Sequence, residues 1–174
     1  RLLAAEPGEV VDAQPRRRRG DDLLPPRLVR VPYESRAQGV VPGDQLGIHA
    51  HDDTGQAVAN TLAAVEAGAR HIQGTLNGIG ERCGNADLVT IIPTLLLKPV
   101  FADRFELGID ADRLVGLTRI SRAFDDLLNR APERQSPYVG ASAFATKAGI
   151  HASALAKDVS SYEHVSPESV GNER

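Results

Sequence analysis

Cysteine is nearly missing from this 174-residue chain: Cys83 stands alone, which excludes an intramolecular disulfide framework and a zinc site built from several cysteines. Long apolar runs are missing too. No stretch approaches the roughly 20 uninterrupted apolar residues of a membrane span, and the N-terminus lacks the charged, apolar and small-residue zones of a signal peptide. The chain reads as cytoplasmic. Nor is one sign of charge in excess: 20 Lys and Arg face 23 Asp and Glu, a formal net charge of -3. That balance gives no electrostatic reason to expect nucleic acid or an anionic membrane as partner; a small molecule or another protein fits better. What the chain does have is an apolar fraction of 41%, enough for a real core in one globular unit.

Proline is unevenly spread. Pro7, Pro15, Pro25, Pro26, Pro32 and Pro42 all fall within the first 45 residues, beside the run Arg16 to Arg19. Neither a helical nor an alternating pattern persists there, and prolines at that spacing interrupt any element that starts. Residues 1–45 are therefore expected to be irregular, with the arginine run as a solvated basic loop, since Asp21 and Asp22 follow it.

From Gln45 the pattern becomes regular. In "QLGIHAHDD", Leu46, Ile48 and Ala50 alternate with Gly47, His49 and His51, which predicts a short strand with both imidazoles on one face. Side chains at i and i+2 on a strand have roots roughly 7 Å apart and point the same way, so two imidazoles can converge on one cation. "TGQAVANTLAAVEAGA" predicts a helix stopped by Gly68. "RHIQGTL" predicts a second strand, "NGIGERCGNA" a glycine-rich loop, and "DLVTIIPTLLLK" a second helix interrupted or kinked at Pro93. Strand, helix, strand, loop, helix is the alternation of a parallel sheet, and in an eight-stranded barrel the loops after the strands carry the chemistry.

Taken alone, His-Ala-His suits two hydrogen-bonded or exposed histidines as well as a metal site. The glycine-rich loop adds oxygen donors, notably Glu81 and Asn85; two imidazoles and an oxygen suit a divalent cation with open positions. Asn85 beside Gly84 also suits an ordinary turn. Downstream, Leu114, Leu117, Ile120, Phe124, Leu127 and Leu128 recur at spacings of three and four, an amphipathic helix with ordinary packing as the expected use of its apolar face.

The stretch "LGIHAHDDTGQAVANTLAAVEAGARHIQGTLNGIGERCGNADLVTIIPTLLLK" resembles the seventh and eighth strand region of the acyl-CoA-condensing barrel synthases, the group of 2-isopropylmalate, homocitrate and citramalate synthases. "YVGASAFATKAGIH" and "YEHVSPESVGN" resemble the segment after the barrel in the citramalate branch. Two blocks in the family's order, from about Leu46 to the last residue, are far more specific than a short motif.

The resemblance implies an α/β fold, a partial TIM (β/α)8 barrel of about the last two βα units followed by a helical post-barrel segment. Residues 1–45 would be an N-terminal segment unlike the family, 46–108 the C-terminal part of the catalytic barrel, and 109–174 the post-barrel dimerisation and active-site segment. The implied reaction joins the acetyl group of acetyl-CoA to a 2-oxo acid, pyruvate in the citramalate branch, with hydrolysis of the thioester, in branched-chain amino-acid biosynthesis. His49, His51 and Asn85 are implied ligands of a divalent metal (Mg, Mn or Zn). His151 is the implied base, acting across a homodimer with Tyr162 assisting, and Glu81 and Asp52 are implied to orient the ligands. The family's Arg-Asp-Gly motif, which supplies a further metal ligand and a contact to the oxo acid, is not found: "RGDD" at Arg19 to Asp22 has the wrong order. A barrel needs about 250 residues, so the expectation is a piece of such an enzyme, with two alternatives: a non-catalytic remnant that associates with a complete homologue, or a metal-dependent carbon-carbon lyase of the same superfamily.

Overall fold

Val10 and Val11 are β-branched residues that favour extended backbone, and strand β1 runs Val10–Pro15, inside the stretch expected to be irregular. The computed structural model describes the backbone of residues 10–15 and all of residues 41–174; the run Arg16 to Arg19 lies outside the described residues. Pro15 is the last residue of β1. The described chain forms two units, Arg1–Ile109 and Asp110–Arg174.

In the first unit the alternation around His49 gives strand β2, Gly47–His49. Helix α1 follows at Ala57–Ala67 and ends at Gly68, whose φ of 118° places it in the left-handed region; glycine enters that region without a Cβ clash. Strand β3, His71–Gln73, lies parallel to β2 in the register Ile48↔Ile72. β2, α1 and β3 are thus the strand, crossover helix and parallel strand that the alternation predicts.

The rest of the sheet departs from a parallel series. After the glycine-rich loop come helix α2, Leu88–Leu97, helix α3, Pro99–Ala102, and strand β4, Phe105–Leu107. β4 does not continue the sheet beside β3. β1 lies between them, antiparallel to β3 through Val11↔Ile72 and to β4 through Gln14↔Glu106, and the order is β2-β3-β1-β4. Helix α2 continues through Pro93, so of the interruption or kink expected there the interruption does not occur. A proline removes one N–H from the ladder, and burial of Val89, Ile91 and Leu95 together with a cap at Asp87 holds the remaining turns.

The core of this unit sits between α1, α2 and the sheet, where Val65, Ile72, Ile91 and Leu95 are fully buried and Ile48, Ala50 and Leu62 pack against the buried cluster. Each such side chain contributes about 1.5–3 kcal/mol by leaving water.

The second unit has no described strand. A 3-10 turn at Ala111–Gly116 leads into helix α4, Leu117–Leu127; helix α5 spans Gly149–Lys157, and 3-10 turns occupy Val159–Ser161 and Pro167–Val170. The amphipathic pattern forms a helix as expected, with Leu114 and Leu117 buried and Ile120 and Phe124 half-buried, and polar positions are buried beside them. Leu117, Thr118, Ser121 and Asp125 are buried, whereas Leu127 is 84% exposed. Thr118 Oγ1 donates to the Val170 carbonyl at 2.8 Å, so a polar position turns inward because a backbone acceptor waits for it. Among the described residues, no helix is long and apolar enough to cross a membrane.

Candidate active site

Alternation on β2 sends Leu46, Ile48 and Ala50 toward the core and leaves His49 and His51 exposed. Their rings meet edge to face with centroids 5.0 Å apart. The convergence read from the spacing is present.

Asn85 comes to the same place through the backbone. His51 and Asn85 form an isolated antiparallel bridge, framed by Ala86 N–H donating to Ala50 C=O at 2.9 Å and Asp52 N–H donating to Gly84 C=O at 2.8 Å. Bonds from the flanking residues define a non-hydrogen-bonded pair, the type in which opposed Cα atoms approach to about 4.5 Å and the side chains share a face. The loop reaches this pairing because of its glycines. At Gly84, φ is 101° and an added Cβ would lie 2.1 Å from the Gly78 carbonyl oxygen; at Gly80, an added Cβ would lie 2.8–2.9 Å from the amide group of Asn85. Gly80 therefore leaves the space that the Asn85 side chain fills. Within it, Asn85 Oδ1 is buried and has no hydrogen-bond partner among the described residues, an arrangement that costs stability unless a donor or a cation engages the oxygen.

The acidic neighbours have other partners. Asp52 Oδ1 accepts from Ala57 N–H at 2.7 Å, capping the start of α1. Glu81 is exposed, with its carboxylate 3.7 Å from the Arg82 guanidinium. These bonds involve neither carboxylate with His49, His51 or Asn85. Asp53 receives two bonds from Arg82, Nε to Oδ1 at 2.6 Å and Nη2 to Oδ2 at 2.9 Å, and this donation holds its carboxyl below the usual range. Asp87, at the head of α2, accepts from Val89 N–H and Thr90 Oγ1, while burial pushes its carboxyl upward. Sequence reasoning passed over Asp53, Arg82 and Gly80. The pair is separated by 29 residues, and no local pattern signals it; Gly80 was visible only as one of several loop glycines.

In the second unit, His151 on α5 and Tyr162 beyond the next 3-10 turn stack with ring centroids 4.4 Å apart at 29°. The two residues singled out as a catalytic pair are brought together, both exposed. The segment after Tyr162 is anchored. Glu163 accepts from Arg174 Nε at 2.6 Å and Nη2 at 2.8 Å, and buried Asn172 Nδ2 donates to the Tyr138 and Gly140 carbonyls at 2.9 and 3.0 Å.

The donor set of the first unit fits a divalent cation: two imidazoles that converge and, on the same face as His51, an amide oxygen stripped of water and left without a partner. Among the described residues no group of three or more His, Cys, Asp or Glu gathers for a metal.

Comparison with known proteins covers both blocks. The HMGL-like family model matches residues 35–120, and a model described as homocitrate synthase post-HMGL domain-like matches residues 138–174. The first implies the TIM-barrel superfamily, and the structure is α/β with a small parallel pair of strands in a mixed sheet. An (R)-citramalate synthase of Synechocystis sp. is 54% identical over 130 residues, which is 75% of this chain and 23% of that protein. An (R)-citramalate synthase of Streptomyces coelicolor is 53% identical with the same coverage, and a 2-isopropylmalate synthase of Methylacidiphilum infernorum is 42% identical over 74% of this chain and 25% of its own length. The chain spans about a quarter of the length of these curated relatives. With two family models matched in series and identities of this size along three-quarters of its length, the chain belongs to the acyl-CoA-condensing, HMGL-like synthase family, the group of citramalate, 2-isopropylmalate and homocitrate synthases.

Proposed function

We propose that this chain serves the condensation of acetyl-CoA with a 2-oxo acid, pyruvate to citramalate, with hydrolysis of the thioester, in branched-chain amino-acid biosynthesis in the cytoplasm. The observation that carries this reading is the buried, unpartnered Oδ1 of Asn85 across from His51, in a chain whose relatives bear the name citramalate synthase. Residues 46–108 would be the seventh and eighth strand region of a (β/α)8 barrel, and residues 109–174 the post-barrel segment that completes the active site of a partner subunit in a homodimer.

His49, His51 and Asn85 would hold a divalent ion (Mg, Mn or Zn). Such an ion, when bound, supplies a positive charge that polarises the ketone of the oxo acid. The chain's own residues do the rest. His151 removes a proton from the acetyl methyl group, since a neutral imidazole nitrogen carries a lone pair that can take it. The freed electron pair forms the new carbon-carbon bond to the ketone carbon, and the ketone oxygen takes up a proton. Water then cleaves the thioester, releasing the CoA thiol and a carboxylate. Tyr162, stacked on His151, fixes the plane of the imidazole.

A second reading, a chain that associates with a complete homologue without catalysing, is favoured by one observation: no carboxylate joins the two histidines among the described residues. A lyase is less well supported, because the post-HMGL model matches residues 138–174.

The test is pyruvate-dependent release of the CoA thiol by the full chain. Release that falls about 10²-fold or more in His151→Ala, and is lost in Asn85→Ala with helix content unchanged, is the expected result. Release that ignores pyruvate or survives both substitutions would overturn the proposal, and no release at all favours the second reading.

A further inference from the structure

The loop that carries His51 and the loop that carries Asn85 are joined by successive rungs. Two are backbone bonds, Ala86 to Ala50 and Asp52 to Gly84. The next, one residue further along the first loop, is the doubly bonded pair of Asp53 and Arg82. We infer that this pair is a positioning device for the proposed metal centre, keeping His51 in register with Asn85; the inference rests on the reading of His49, His51 and Asn85 as ligands.

Three features support it. Two parallel bonds between a planar fork and a carboxylate fix orientation as well as distance, which a single contact does not, and lysine cannot reproduce them. Arg82 holds a φ of 54°, the left-handed region that non-glycine residues occupy only when their surroundings impose it, so the loop is bent to present this side chain. Finally, the side chains of Arg82 and Asp53 are 54% and 46% exposed. A pair so wet adds little to global stability; what it fixes is the relation of two loops, each with a proposed ligand two or three residues away.

The experiment uses the full chain, with Mn(II) as the probe and free ion counted by electron paramagnetic resonance, together with hydrogen exchange at the Asp52 and Ala86 amides in metal-free chain. Asp53→Asn and Arg82→Lys are each expected to weaken Mn(II) binding about tenfold, with the double variant no weaker than either single one. Exchange at both amides should quicken while the thermal midpoint of the metal-free chain stays nearly constant. A merely structural pair would move the midpoint and leave affinity alone. Unchanged Mn(II) affinity in the single variants, losses that add in the double variant, or unchanged exchange would overturn the positioning role. A wild-type chain that takes up no Mn(II), with exchange still sensitive to the pair, would overturn the metal reading and the positioning role with it. Binding that is lost in His49→Ala but indifferent to the pair overturns the positioning role alone.

Discussion

Around Ile72 burial falls mostly on apolar side chains, with Val65, Ile91 and Leu95 equally shut off from water and Thr61 the one fully buried polar residue among the first unit's described residues; around Thr118 it falls more on polar ones, with Ser121, Asp125 and Asn172 inside and Leu127 out. The first unit is assembled by removing apolar surface from water, a force without direction that sequence periodicity records faithfully. The second leans on directed bonds from side chains to backbone carbonyls, from Thr118 to Val170 and from Asn172 to Tyr138 and Gly140. Such bonds contribute about 1 kcal/mol each when made, yet leaving a buried carbonyl without its donor costs more. A unit held this way is sensitive to single polar residues that a hydrophobic pattern ignores.

Three substitutions test that contrast. Ile72→Ala should cost the most, about 2–5 kcal/mol, read by urea unfolding of the full chain, with amide protection lost across residues 46–107. A cost below about 1 kcal/mol would show that the sheet is not the centre of the first unit. Asn172→Ala should cost about 1–3 kcal/mol, with faster exchange confined to residues 110–174; no change would break the claim that directed bonds hold that unit. Leu127→Ser should stay within about 0.5 kcal/mol. A larger loss would sharpen the comparison differently, by revealing that the exposed side of α4 is covered in solution.

Legibility in the sequence followed the same divide. Alternation placed His49 and His51 on one face, and Gly68 marked the end of α1, because both signals are local. β1 escaped notice since its partners lie some 60 to 95 residues away, as Val11↔Ile72 and Pro15↔Phe105 show, and pairing over such distances leaves no periodic trace in a strand of six residues. Pro93 does not interrupt α2, since a lost N–H is visible in sequence while the burial that compensates for it is not. The apolar stripe marked Leu114, Leu117, Ile120 and Phe124, which are buried or half-buried, but not Thr118, whose inward turn answers to the Val170 carbonyl. As for the candidate site, spacing and resemblance named His49, His51, Asn85, His151 and Tyr162. The rungs that join the two loops depend on tertiary contact and came only with the structure.

The space left by Gly80 has one further consequence. An oxygen donor in water must shed its hydration before it can grip a cation, and that step slows and weakens capture. The Asn85 carbonyl is shut off from water in the fold, so in the proposed metal site that step would already be complete before an ion arrived. On the proposed reading the resting chain gives up some durability for readiness, and the glycine-rich loop is as much a device for keeping one atom thirsty as a turn between a strand and a helix.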